Sequence, residues 1–196
     1  MLHRIGTLFV VSGPAGVGKD ALIERVLPRV TTLRKSVSVT TRAPLNQVHG
    51  EAYFFISRDE FQGLLTEEAL LEHARVHDNY YGTPSAWVRE QLEGGHDVVL
   101  NIDVQGGLTI GRKCANPVLI FIMPPSLREL ENRLRKRNRD GEQDIELRLK
   151  NAIAEMETSR EYDHIIVNVD LDRASTELQS LIERVRAESP GTVIPR

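Results

Sequence analysis

The run Gly13-Pro14-Ala15-Gly16-Val17-Gly18-Lys19 carries the plainest chemistry in the chain. It reads Gly-x-x-x-x-Gly-Lys, the pattern of a loop that wraps a polyphosphate. Glycines let the backbone pass close to the phosphates with its amides turned inward. A helix start just beyond adds partial positive charge. Lys19 supplies a full charge to the outer phosphates. Three glycines and a lysine at set spacing, between an apolar strand and a helical stretch, point to a nucleoside triphosphate rather than to an unliganded turn. The expected contacts run from Gly13 to Lys19 and on through Asp20 and Ala21.

Other residues raise narrower questions. The position after the lysine ordinarily holds Ser or Thr, whose hydroxyl binds Mg²⁺, and here it is Asp20. A carboxylate is a good ligand for a hard cation but adds negative charge beside a polyanion. We expect Asp20 to reach the magnesium directly or through water. Asp103 ends an apolar strand, where an α/β sheet presents ligands; it reads equally as an aspartate capping the next helix. Arg133 and Arg137 are four apart and share a helix face, with Arg148 further on. Arg135, Lys136 and Arg139 read as a solvated basic face.

The elements that must position these residues follow from apolar patterning. Thr7–Val11, Val98–Ile102, Val118–Met123 and Ile165–Val169 are short, branched and apolar, as buried parallel strands are. Helical stretches Ala21–Leu27, Ser126–Lys136 and about 172–187 separate or follow them. Ser126 and Glu129 fit a capping box. Ile145, Leu149, Ile153 and Met156 mark one face of another helix. Such alternation predicts a three-layer α/β domain with a parallel core sheet. Residues 36–81 break the rhythm: Ser36–Thr40, Glu51–Ser57, Leu70–Val76 and Asn79–Thr83 read as a small, partly antiparallel insertion. The tail from Ser189 reads as frayed.

Bulk properties exclude several classes. The 196 residues suit one domain, and a net charge of −3 gives no general attraction to nucleic acid or anionic membrane. One cysteine, Cys114, excludes an internal disulfide and suits a reducing compartment. MLHRIGTLFVV lacks a signal-peptide core, and no apolar run approaches spanning length.

Beyond the loop, the chain resembles guanylate kinase. The residues that carry the likeness are Ser36-Val37-Ser38-Val39-Thr40-Thr41-Arg42, Tyr53, Glu72, Asn79-Tyr80-Tyr81-Gly82-Thr83, Ile102-Asp103-Val104-Gln105-Gly106 and Val167-Asn168-Val169-Asp170-Leu171-Asp172, in that order. The likeness runs from about residue 7 to 185. It implies a P-loop NTPase three-layer sandwich with a small mixed GMP-binding insertion and a helical lid. The implied division is a core of about 1–34, 96–124 and 161–188, a GMP-binding subdomain of about 35–95, a lid of about 125–160 and a tail of 189–196. It implies a cytoplasmic enzyme, monomer or homodimer, that moves the γ-phosphoryl group of ATP onto GMP with Mg²⁺ as cofactor. Glu72 would read guanine, whose N1–H and 2-amino donors suit a carboxylate; alone, Glu72 would read as a solvated glutamate on a half-exposed strand. Ser38 would donate to guanine O6. Arg42, Tyr53 and Tyr81 would hold the GMP phosphate. Thr83 and Asp103 would line the GMP site, and Asp103 would join Asp20 near the magnesium. Lys19, Arg42, Arg133, Arg137 and Arg148 would stabilise the transferring phosphoryl group. Tyr80 would pack.

The likeness fails at a few places. Leu45 stands where a second phosphate-binding arginine is expected, in a loop one residue shorter. Gln47, Ala52 and Asn101 replace acids, and His73 replaces a frequent tryptophan. Two other readings stay open. Ribose 1,5-bisphosphate phosphokinases also carry Gly-Lys-Asp, which Asp20 and Asn101 match. A catalytically silent binding module is the second, although such modules tend to lose the loop lysine.

Overall fold

A computed structural model describes residues 4–44, 47–51, 53–76, 78–136 and 142–195. Strand β1 (Leu8–Ser12) is entirely buried. Its side chains alternate between two apolar clusters, Phe9 and Val11 in one and Leu8 and Val10 in the other. A strand covered on both faces has no polar side to show, and this is why its sequence is apolar without alternation.

β1 is the centre of a five-stranded parallel sheet. Its partners are β2 (Leu33–Lys35), β7 (Asp97–Asn101), β8 (Val118–Met123) and β9 (His164–Val167), in the order β2-β7-β1-β8-β9. Helices α1 (Lys19–Val26), α5 (Leu127–Lys136) and α7 (Leu171–Glu188) pack on the Phe9 face. Helices α3 (Ser85–Glu93) and α4 (Val104–Lys113) pack on the other. The three-layer α/β expectation holds.

A second sheet stands apart, in the order β4-β3-β6-β5: β3 (Ser38–Thr40), β4 (Tyr53–Phe55), β5 (Leu70–Val76) and β6 (Asn79–Pro84). β3 and β4 are parallel, and the other pairs antiparallel. Helix α2 (Arg58–Thr66) covers it through a small cluster of Val39, Phe61 and Leu70, and Tyr80 packs there as expected. α2 opens on a full capping box, Ser57 with Glu60, that the sequence reading passed over. At Ser126 only half the expected box forms: Glu129 N–H bonds the Ser126 hydroxyl, but the Glu129 carboxylate turns to Arg133 at 2.9 Å.

Two further expectations are corrected. In α6 (Glu142–Glu157), Ile153 is 47% exposed, while Ile145 and Ala152 are buried. The inward stripe is Ile145, Leu149, Ala152 and Met156, because at 3.6 residues per turn a second step of four overshoots the face. The tail is also not frayed. Thr192 and Ile194 are buried, and Val193 pairs with Ala115 through two backbone bonds. The Thr192 hydroxyl accepts from Leu8 N–H at 2.9 Å and donates to Asn116 at 2.8 Å.

Candidate active site

The glycine-rich loop joins β1 to α1 and opens at the carboxyl ends of the parallel strands. Gly18, the residue before the helix, has φ 101°, and a Cβ there would lie 2.7 Å from Asn168 Nδ2. Only glycine meets both demands without strain. Asn168 is buried and donates to the Val17 carbonyl at 2.8 Å, fixing the loop from β9. Lys19 lies over the loop, its Nζ donating to the Gly13 and Pro14 carbonyls at 2.6 and 3.2 Å. Ala15 stands exposed at the loop's tip, and Gly16 and Val17 complete its turn.

Asp20 is in the first turn of α1, with its side chain 73% exposed. Its Oδ1 accepts from Asn101 Nδ2 at 2.6 Å and lies 3.9 Å from Lys35 Nζ. Two departures from the expected pattern, Asp20 and Asn101, are therefore hydrogen-bond partners. Ala21 follows in the same turn. Asp103 is the N-cap of α4, accepting from Gly106 N–H at 3.0 Å. The capping alternative left open by the sequence is realised, and Asp103 also borders a cleft shared with Ala15 and Arg148.

The mixed sheet gathers the second group. Arg42 lies 5.4 Å from the centre of the Tyr53 ring, and Tyr53 meets Tyr81 edge-on with centres 5.7 Å apart. One Arg42 Nη donates to Gln47, while its Nε is buried without a partner among the described residues. Burial, then the nearby Asp20 and Tyr81, push the Tyr53 phenol up, against the lowering effect of Arg42. Ser38 lines the same cavity as Arg42 and Tyr53.

Glu72 is only 3% exposed, which removes the solvated-surface reading. Its Oε1 accepts from the Thr83 hydroxyl at 2.6 Å across the β5–β6 pair. Its Oε2 approaches Gly106 so closely that a Cβ there would lie 2.6 Å away. This contact explains the glycine in Ile102-Asp103-Val104-Gln105-Gly106. Burial raises the carboxyl to about 7; the Thr83 bond opposes this, Asp103 adds to it and Lys113 lowers it.

The third group comes from α5 and α6. Arg133 donates to the carbonyls of Asn168 at 3.0 Å and Val17 at 3.4 Å, and to Glu129. It braces the outside of the phosphate loop. Arg148 lines a cleft of about 460 Å³ together with Ala15 of the loop, Ala74 and Arg75 of β5, Asp103, and Glu155. Arg137 lies outside the described residues, as do Leu45, Ala52 and Arg139.

Sequence reasoning missed Asn168, Lys35 and Glu155 as parts of this region. Asn168 belongs to a quoted motif, but its partner Val17 is 151 positions away, and no local spacing announces such a pair. Among the described residues no cluster of three or more His, Cys, Asp or Glu could hold a metal ion, and no helix is long and apolar enough to cross a membrane.

A parallel sheet with a glycine-lysine loop at its carboxyl edge, facing a side-chain-lined acceptor region, defines a P-loop phosphotransferase of the nucleoside-monophosphate kinase type. A guanylate kinase family model matches residues 5–185. The chain is 47% identical to guanylate kinase of Escherichia coli O157:H7 over 187 residues, covering 92% of this chain and 90% of that protein. It is 43% identical over 182 residues to guanylate kinase of Caldanaerobacter subterraneus subsp. tengcongensis, covering 92% and 88%. The crystal structure of guanylate kinase from Anaplasma phagocytophilum superposes with a TM-score of 0.76 at 31% identity, over 98% of this chain and 93% of that one. The chain belongs to the guanylate kinase family.

Proposed function

We propose that the protein transfers the γ-phosphoryl group of ATP to GMP, giving ADP and GDP. The observation that carries the reading is the shared cleft. One opening is bordered by the phosphate loop at Ala15, by β5 of the mixed sheet, and by Arg148 of α6. Donor and acceptor phosphates brought there need no covalent help from the protein, only alignment and charge stabilisation. Lys19 and the loop amides would hold the triphosphate. Arg42, Tyr53 and Tyr81 would hold the acceptor phosphate, with Gln47 accepting from Arg42 without neutralising it. Glu72, oriented by Thr83, would accept from guanine N1–H and the 2-amino group, and Ser38 would reach O6. Arg148 and Arg137 would approach the transferring group from the helical lid at 125–160. Arg133, seated on the loop carbonyls, would act by stiffening the loop.

Magnesium would arrive with ATP. The residues present fit that role rather than a resident ion: Asp20 and Asp103 each have one oxygen already hydrogen-bonded, and most of the ion's ligands would be phosphate oxygens and water. The magnesium would neutralise charge on the phosphates. Asp20→Thr should leave kcat within about three- to tenfold while shifting the magnesium requirement; an inactive variant would show that the carboxylate has a further role that a hydroxyl cannot fill. A reducing cytoplasm suits the buried thiol of Cys114.

A coupled assay of ADP release with GMP, AMP and ribose phosphates tests the reading. GMP should be turned over far above AMP. Preference for a ribose phosphate would favour the bisphosphate phosphokinase alternative, and turnover of none would favour a binding module.

A further inference from the structure

The acceptor-phosphate region has a gap in its charges. Leu45 stands where a second phosphate-binding arginine is expected, so Arg42 is left to neutralise a dianion with two phenols. The cavity of about 270 Å³ beside Arg42 and Tyr53 contains what is missing: Lys35 and Ser36 line it, along with Asn101 and the carboxylates of Asp20 and Glu24.

Lys35 ends β2, in register with Val99 of β7, and Ser36 N–H bonds the Val99 carbonyl at 3.1 Å. This pairing sets both residues beside Asn101 at the end of β7. Ser36 is only 8% exposed, and its Oγ has no hydrogen-bond partner among the described residues. Arg42 Nε in the same cavity is in the same position. Buried donors without acceptors are costly, and two such donors on residues lining one cavity suit an acceptor-rich ligand. The Lys35 side chain is 26% exposed, its Nζ lies 3.9 Å from Asp20 Oδ1, and Asn101 donates to that same oxygen at 2.6 Å.

We propose that Lys35 and Ser36 form a further arm of the acceptor-phosphate site. Lys35 supplies the charge that Leu45 lacks, and the Ser36 hydroxyl donates to a phosphate oxygen. Asp20 and Asn101 act as positioning residues that hold the ammonium at the cavity wall. The ligand recognised is the phosphate monoester of the acceptor, whatever its base; the inference rests on the GMP reading only for the choice of probe.

The test is an NMR titration of the full chain with GMP and with guanosine, without ATP. Lys35→Met should weaken GMP binding by about tenfold or more, the loss expected for one charged phosphate contact, and leave guanosine within about twofold. Lys35→Arg should restore most of the GMP affinity. Ser36→Ala should weaken GMP by about three- to tenfold, again without affecting guanosine, and carries the same test should Lys35→Met not fold. Unchanged GMP binding in folded Lys35→Met and Ser36→Ala chains, or equal losses for GMP and guanosine, would overturn the proposal. Wild-type binding of AMP as tight as GMP would count against the guanine reading alone.

Discussion

On the proposed reading, the two sheets solve the same problem, holding a phosphate, by opposite means. The parallel sheet does it with backbone. Its loop is one contiguous segment, set by β1 and α1 and braced by Asn168 and Arg133. The mixed sheet would do it with side chains drawn from separate strands and loops, Arg42, Tyr53 and Tyr81, beside the Ser38, Glu72 and Thr83 proposed to meet the base. The first sheet rests on two large clusters that cover both faces, the second on a cluster whose fully buried members are Val39, Phe61 and Leu70. A thin core with few buried contacts opens at lower free energy than a thick one, which suits a region that must close over its ligand. The contrast also accounts for where the chain departs from its expected pattern. Backbone amides are indifferent to side-chain drift. Side-chain contacts can be exchanged for others, and Gln47 and Asn101, with Asp20 of α1, line the cavity beside Arg42 and Tyr53.

Experiments can break this comparison, beginning with the largest effect. Lys19→Ala removes the positive side-chain charge of the Gly13–Lys19 segment and should lower kcat by about 10²-fold or more. GMP binding, measured by titration, should be unchanged. A loss in both would mean that the two sites are not separable. Glu72→Gln should reduce the ratio of kcat/KM for GMP over AMP by about 10²-fold, because an amide cannot accept two adjacent donors; an unaltered ratio would remove Glu72 from the base site. Arg42→Ala should raise KM for GMP by about ten- to a hundredfold and leave KM for ATP unchanged.

A pH profile sharpens the same contrast. On the proposed reading Glu72 must be ionised to accept both guanine donors, and its carboxyl is raised to about 7. GMP affinity should therefore fall as pH drops below about 7, by up to about tenfold per unit, while ATP affinity stays level. Glu72→Gln should flatten the dependence. For stability the sign is the reverse. The native state holds this proton more tightly than the unfolded chain, so the contribution is complete below the ordinary value of 4.5 and is lost as pH rises through about 7. Denaturant titrations of wild type and Glu72→Gln should converge at acid pH and separate near neutrality, with wild type the less stable.

The smallest effect lies far from both sites. Thr192→Val removes the acceptor of a buried Leu8 amide and should cost about 1–3 kcal/mol in denaturant unfolding, with kcat unchanged. An unaltered midpoint would restore the frayed tail that composition suggested.

What could be read without coordinates was whatever is local. Apolar runs foretold four of the five core strands, since strands covered on both faces must be apolar throughout. The phosphate loop was legible because its amides, its lysine and its helix start are consecutive. The family motifs mark Arg42, Tyr53, Tyr81, Glu72 and Thr83 as candidates, but not their surroundings. β2, whose three residues Leu33–Lys35 carry no pattern of their own, was invisible, and with it Lys35.

Tertiary structure alone decided the rest. It made Asp20 and Asn101 partners across 81 positions and seated Arg133 on the loop. It also buried Glu72 between Thr83 and a glycine on another element. Composition and spacing determine which segments become strand, helix or phosphate-binding turn, because those depend on neighbours along the chain. Charge state, orientation and partnership depend on neighbours in space, and in this protein those come from strands and helices far apart in the sequence.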